Sequence, residues 1–156
     1  MISGKLNPEN IRGFIIFPDG GTHELVAFCQ GKPLIVVARD LPEPWRRLVM
    51  IKELMHYFDE PLEKVSSGDE FEGLIAELGA PFPDRSPAVH SEHKALWMAF
   101  GVICTEEQRQ EFQRQRVAGE ITDEQIADRI GMPISIVAYL FEPNFKAIIN
   151  SLFSDD

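Results

Sequence analysis

Residues 44–58 constrain the fold of this chain more than any other segment. Pro44 suits the first position of a helix, where its missing N–H would have had no partner anyway. No glycine or second proline follows until Asp59-Glu60-Pro61 stops the run. On a 3.6-residue wheel, Trp45, Leu48, Val49, Lys52, Met55 and His56 share one stripe, and Met50, Ile51, Leu54 and Phe58 lie opposite. The segment is apolar nearly all round, which predicts a central helix packed on two sides. Lys52 stands in the middle of the stripe, and a lysine there is costly unless it finds a carboxylate or snorkels out.

The flanking sequence supplies the other layers. Residues 13–17, 24–30 and 34–39 read as short strands. Pro18-Asp19-Gly20-Gly21 and Gln30-Gly31-Lys32-Pro33 are turn signals between them, so the expectation is a three-stranded antiparallel meander. Residues 69–78 read as a short acidic helix stopped by Gly79. Ser86-Pro87 opens a further helix to about Cys104, with Glu92 on the otherwise apolar stripe Ala95, Leu96, Ala99 and Ile103. Thr105 with Gln108, and Thr122 with Gln125, have capping-box spacing. They predict helices over 106–118 and 123–130. Gly131-Met132-Pro133 then gives a turn into a helix over 134–141, and a last helix spans 144–153 before an acidic tail. The fold class expected is α+β, in one domain over 1–156. A small antiparallel sheet and the buried helix fall within 13–104, and a helical C-terminal segment covers 105–156.

Composition narrows the possible functions. Hydrophobic residues make up 44% of the 156, enough for a core without disulfides. The formal net charge is -10, which repels phosphate backbones and argues against direct nucleic-acid binding. Cys29 and Cys104 form no framework and read as buried thiols of a reducing compartment. The chain opens on a polar stretch with no leader pattern, and apolar runs such as 33–38 are too short to span a bilayer. The expectation is a cytoplasmic protein without a membrane partner.

Two constellations could carry chemistry. The first is Lys52-Glu53-Leu54-Met55-His56. In the zinc-protease motif H-E-x-x-H, residues four apart share a helix face and bind one zinc, while the glutamate activates the metal-bound water. Glu53 and His56 keep those places, but the first histidine is Lys52. The second is Glu92 within His90-Ser91-Glu92-His93, since a catalytic zinc needs a third protein ligand from elsewhere. On the motif alone, a buried helix with a partly satisfied histidine is the simpler reading, and Glu92 could equally face solvent. His23-Glu24-Leu25-Val26-Ala27 also begins like the motif, but it closes on Ala27 in a stretch that reads as strand.

Taken in order, the residues resemble the ImmA/IrrE family of zinc metallopeptidases. Arg47 to Tyr57 is similar to that family's arginine-led apolar run into H-E-L-x-H-Y. Glu92, Ala95, Met98, Ala99, Val102 and Ile103 follow its E-x-x-A-x-x-F-A-x-x-L-L pattern, with Cys104 one place from the family's proline. The resemblance covers roughly residues 13–141. It implies a zincin-like helix packed on the sheet, and a peptidase that cleaves repressor-type regulators. It also implies Glu53 as general base, with His56 and Glu92 as metal ligands. Lys52 breaks the ligand set, because an ammonium has no free lone pair at neutral pH.

The expected function is therefore a degenerate metallopeptidase-like domain, a pseudoenzyme with a non-catalytic regulatory or protein-binding role in bacterial or phage control. No cofactor is expected, and zinc only if the site is functional. The Lys52 ammonium would take the cation's place and pair with Glu92 in preference to Glu53. One alternative is an active zinc-dependent peptidase, acting on a regulator protein, with an atypical metal site that recruits His90, His93 or another ligand. Another is a DNA-associated regulator using the helix-turn-helix-like tail over 125–140. Against the latter, 134–141 holds no arginine, lysine, asparagine or glutamine to read base edges. The partner expected is a peptide or a regulator protein, and the sequence leaves the oligomeric state open.

Overall fold

In the computed structural model, residues 12–18, 26–65, 73–74 and 86–153 are described. Two strands, β1 (Gly13–Ile16) and β2 (Leu34–Val37), pair antiparallel with Gly13 opposite Val37 and Ile16 opposite Leu34. The stretch read as a middle strand is not one. Val26–Cys29 forms a single helical turn, α1, and Glu24 and Leu25 lie outside the described residues. A short apolar run such as Val26-Ala27-Phe28-Cys29 fits strand and helix alike, so periodicity cannot decide it. The backbone decides against extension just beyond it. Gln30 and Gly31 take φ of 48° and 78°, and the Lys32 N–H closes the turn on the Cys29 carbonyl at 2.8 Å.

The expected central helix forms as α2 (Glu43–Met55) and tightens into a 3-10 turn over His56–Phe58. Its inner face buries Leu48, Val49, Glu53 and Met55. Gly13 sits so close to α2 that a Cβ there would run into the Val49 side chain, so β1 can approach the helix only as glycine. The packing on two sides is not complete. Met50, Leu54, Tyr57 and Phe58 are exposed. A two-stranded sheet and one neighbouring helix supply most of its contacts, with Arg47 also resting against Gly131, and these leave the face of Met50, Leu54 and Phe58 open.

The neighbouring helix is α3 (Pro87–Ile103), which begins as expected. Ser86 caps it by accepting the Val89 N–H at 3.3 Å. Its inner face buries Ala95, Met98, Ala99, Phe100 and Ile103 against α2 and the C-terminal helices. Those helices are α4 (Glu106–Val117), α5 (Asp123–Ile130), α6 (Ile134–Val137) with a 3-10 extension over Ala138–Phe141, and α7 (Phe145–Phe153). Both capping boxes form. Ile126, Met132, Val137, Leu140 and Phe145 join Phe100 in one core. Each such side chain contributes about 1.5–3 kcal/mol on full burial, which makes this half the main stabilising mass. Of the acidic helix expected over 69–78, only residues 73–74 are described, and both are helical. The architecture is α+β at the coarse level, predominantly helical with one small antiparallel sheet. No described helix is long and apolar enough to cross a membrane.

One surface pair ties α4 to the core. The Arg109 guanidinium donates to both Glu106 carboxylate oxygens, at 2.7 and 2.9 Å, and to the Leu140 carbonyl at 3.3 Å. The hydrogen bonds from Arg109 outweigh burial and hold the Glu106 carboxyl down at about 2. Because the folded value lies below the ordinary 4.5, the pair stabilises the protein above that pH. Its contribution fades as pH falls from about 4.5 through about 2. Glu106→Gln is therefore expected to lower stability at pH 7 and to flatten the loss between pH 4 and pH 2. Urea titrations across that window measure it.

Candidate functional site

Lys52, near the C-terminal end of α2, and His56, which opens the 3-10 turn continuing it, stand four residues apart and face the same side. α3 crosses that face and brings Glu92 to it. The Lys52 Nζ lies 2.5 Å from Glu92 Oε2 and 2.9 Å from Glu53 Oε1, so it bridges both carboxylates. The expectation of a partner for Lys52 holds, and Glu92 makes the shorter contact. The structure adds Glu53, which folds back along the helix to reach the same ammonium. His56 Nε2 faces the bridge from the other side, 3.5 Å from Glu92 Oε1 and 4.0 Å from Glu53 Oε2. The three residues that the sequence nominated, Glu53, His56 and Glu92, thus meet around Lys52.

Burial decides the electrostatics. The Glu53 side chain is 3% exposed, Lys52 17% and Glu92 25%. Burial works against the Lys52 charge, but the carboxylates of Glu53 and Glu92 outweigh it, so its pKa is raised above the ordinary 10.5. The magnitudes agree with that direction. Two unit charges about 4 Å apart attract by about 4 kcal/mol at an effective dielectric of about 20, and here there are two partners. Glu53 profits less. Burial pushes its carboxyl above 4.5, with repulsion from Glu92 adding to it, and the attraction of Lys52 and His56 does not fully compensate.

Behind the bridge lies a second network that the sequence reading did not identify. Asp59 closes the turn after α2, its N–H donating to the His56 carbonyl at 3.2 Å. Its Oδ2 lies 2.7 Å from His56 Nδ1 and accepts the Ser91 hydroxyl at 2.5 Å. Lys94 pairs with Asp59 Oδ1 at 3.4 Å and with Glu63. Burial raises the Asp59 carboxyl, but hydrogen bonds from His56 and Ser91, with the charges of His56 and Lys94, outweigh it and hold the group below 3.8. Asp59 is therefore ionised at neutral pH, and His56 Nδ1 donates to it. His56 Nε2 is left buried with no hydrogen-bond partner. One signal was available for Ser91: it stands one and two turns before Ala95 and Met98, on the buried face of α3. Asp59 gave none, since as a helix stop it looks like any other.

The residues do not fit a zinc centre with three protein ligands. His56 Nε2 and the Glu92 carboxylate could donate, and the bound His–Asp pair is what a metal-ligating histidine ordinarily has behind it. Among the described residues the third donor is absent, because Lys52 is a protonated cation in the same space. His90 and His93 are exposed on α3. Among the described residues, no group of three or more His, Cys, Asp or Glu side chains is placed to hold a metal ion. In the tail, α6 is only four residues long, and its Val137 belongs to the core. The sequence matches no family model, and neither a curated protein nor a solved structure matches it.

Proposed function

We propose that this chain is a degenerate metallopeptidase-like domain of the ImmA/IrrE type that works in the cytoplasm by binding a peptide or regulator protein, not by cleaving it. In this reading α2 is the zincin-like helix and the Lys52 ammonium stands where the family's zinc would be. The observation that carries it is the bridge itself, with Nζ at 2.5 and 2.9 Å from the carboxylates that would serve as ligand and general base. A monovalent cation there balances buried carboxylates but cannot polarise a carbonyl or lower the pKa of a water, which are the services a catalytic zinc performs. The runner-up, a working zinc peptidase, draws support from the orphaned His56 Nε2 and its Asp59 support. Among the described residues it lacks a third ligand.

Metal analysis of the full chain, purified without chelator and without a metal-binding tag, separates the two. The expected result is far less than one zinc per chain and no cleavage of repressor-type substrates. Stoichiometric zinc together with chelator-sensitive proteolysis would overturn the proposal in favour of the runner-up.

A further inference from the structure

Ten large apolar side chains are exposed among the described residues, and five of them fall between residues 50 and 62. Met50, Leu54 and Phe58 follow one another at four-residue spacing along the outer face of α2 and its 3-10 turn, with Tyr57 beside them. Leu54 is 50% exposed and Phe58 61%; Leu62, just beyond the turn, reaches 87%. The Tyr57 and Phe58 rings hold each other edge-on with centroids 5.9 Å apart. Isolated exposed apolar residues are ordinary, but a continuous strip on one helix marks an interaction surface.

The charges at the two ends of the strip indicate what covers it. Arg46 and Arg47 are exposed at its N-terminal end, with Glu43 the opposing charge near them. Arg46 is fixed there by hydrogen bonds to the Arg39 and Leu41 carbonyls, each 3.1 Å. Glu60 is exposed at the other end, where its neighbours Asp59 and Glu63 are already engaged by Lys94. Arg39, Arg46 and Arg47 against Asp40 and Glu43 leave one net positive charge at the first end, and Lys64 and Lys94 against Asp59, Glu60 and Glu63 leave one net negative charge at the other. A surface with that polarity is complementary to itself turned end for end, which is the requirement of a two-fold interface. A second copy lying antiparallel across Leu54 puts Met50 over the partner's Phe58 and the arginine end over the partner's Glu60. A lipid surface fits less well, because the chain carries a net charge of -10 and membrane-lying helices carry basic polar faces. We propose that the outer face of α2 is the interface of a two-fold homodimer, with the axis passing near Leu54.

Sedimentation of the full chain tests this directly. The expected species is a dimer of the 17.7 kDa chain at micromolar concentration. Leu54→Asp should raise the dissociation constant by about a hundredfold, as for a central interface residue, while circular dichroism stays unchanged. Glu60→Lys should weaken it by about tenfold through like charge. Cysteine variants report the geometry even if Leu54→Asp fails to fold, since Cys29 and Cys104 are buried and do not compete. Under mild oxidation Leu54→Cys should link to itself, and Met50→Cys should link to Phe58→Cys when the two variants are mixed. A chain that stays monomeric at about 100 µM, well above the micromolar range expected for such a face, overturns the proposal. So does a Leu54→Asp variant that remains a dimer, self-linking of Met50→Cys in preference to the mixed link, or binding of the monomer to anionic lipid vesicles through this face.

Discussion

Lys52→Met should destabilise the protein by about 3–5 kcal/mol, the cost of stranding a buried charge when its partner is removed. The upper part of that range applies because two carboxylates are left, one of them, Glu53, only 3% exposed at its side chain. Glu92→Leu should cost less, since Lys52 keeps Glu53 at 2.9 Å and Glu92 is itself a quarter exposed. The bridge has three members, so changing Lys52→Met with Glu92→Leu does not restore balance, because Glu53 remains charged and unpaired. Adding Glu53→Leu should recover most of the loss, since apolar residues of similar size replace buried ion clusters at little or no cost. The pH response has a definite sign. The Glu53 carboxyl is already above 4.5 in the fold and rises further without Lys52. Its burden on the Lys52→Met variant is present at pH 7 and is relieved as pH falls through that raised value. In the unmodified protein, the Lys52 contribution is fully present at neutral pH and on the alkaline side is lost as pH climbs through its folded value, above 10.5. Chemical denaturation of the four variants at pH 7.5 and pH 5 measures all of this. Additive losses across the cycle would mean that the side chains do not interact.

Lys52→His should convert the same cluster into a zinc site. A histidine at this position restores two imidazoles four residues apart, with Glu92 arriving from α3 as the third donor. His56 needs no rearrangement, because Asp59 already holds its Nδ1 at 2.7 Å and leaves Nε2 buried and free of hydrogen bonds. Loss of a mere supporting partner costs a metal site about 10–100-fold in affinity, so gain of a direct ligand should tighten zinc binding by more than about a hundredfold. Competition against a chromophoric chelator gives the constant, and zinc should also raise the melting temperature of the variant. If Lys52→His binds zinc no better than the unmodified chain, the bridge does not occupy a metal position and the resemblance to a zincin-like centre loses its physical basis.

What the sequence determined by itself was local. Ser86 before Pro87, Thr105 with Gln108 and Thr122 with Gln125 set the starts of α3, α4 and α5, because a cap is settled within three residues of chain. The need of Lys52 for a carboxylate was legible as well, since a charge in an apolar stripe must be answered somewhere. Tertiary structure decided which groups answer it. Only the crossing of α3 over α2 brings Glu92 within 2.5 Å, and only that crossing sets Ser91 against Asp59 and His56. The helical turn at Val26–Cys29 and the exposed outer face of α2 belong to the same category. A four-residue apolar run is compatible with either backbone, and an apolar stripe looks the same whether it meets the core or leaves the molecule. Those outcomes depend on which surfaces the rest of the chain brings opposite, and hydrophobic periodicity along one segment carries no information about that.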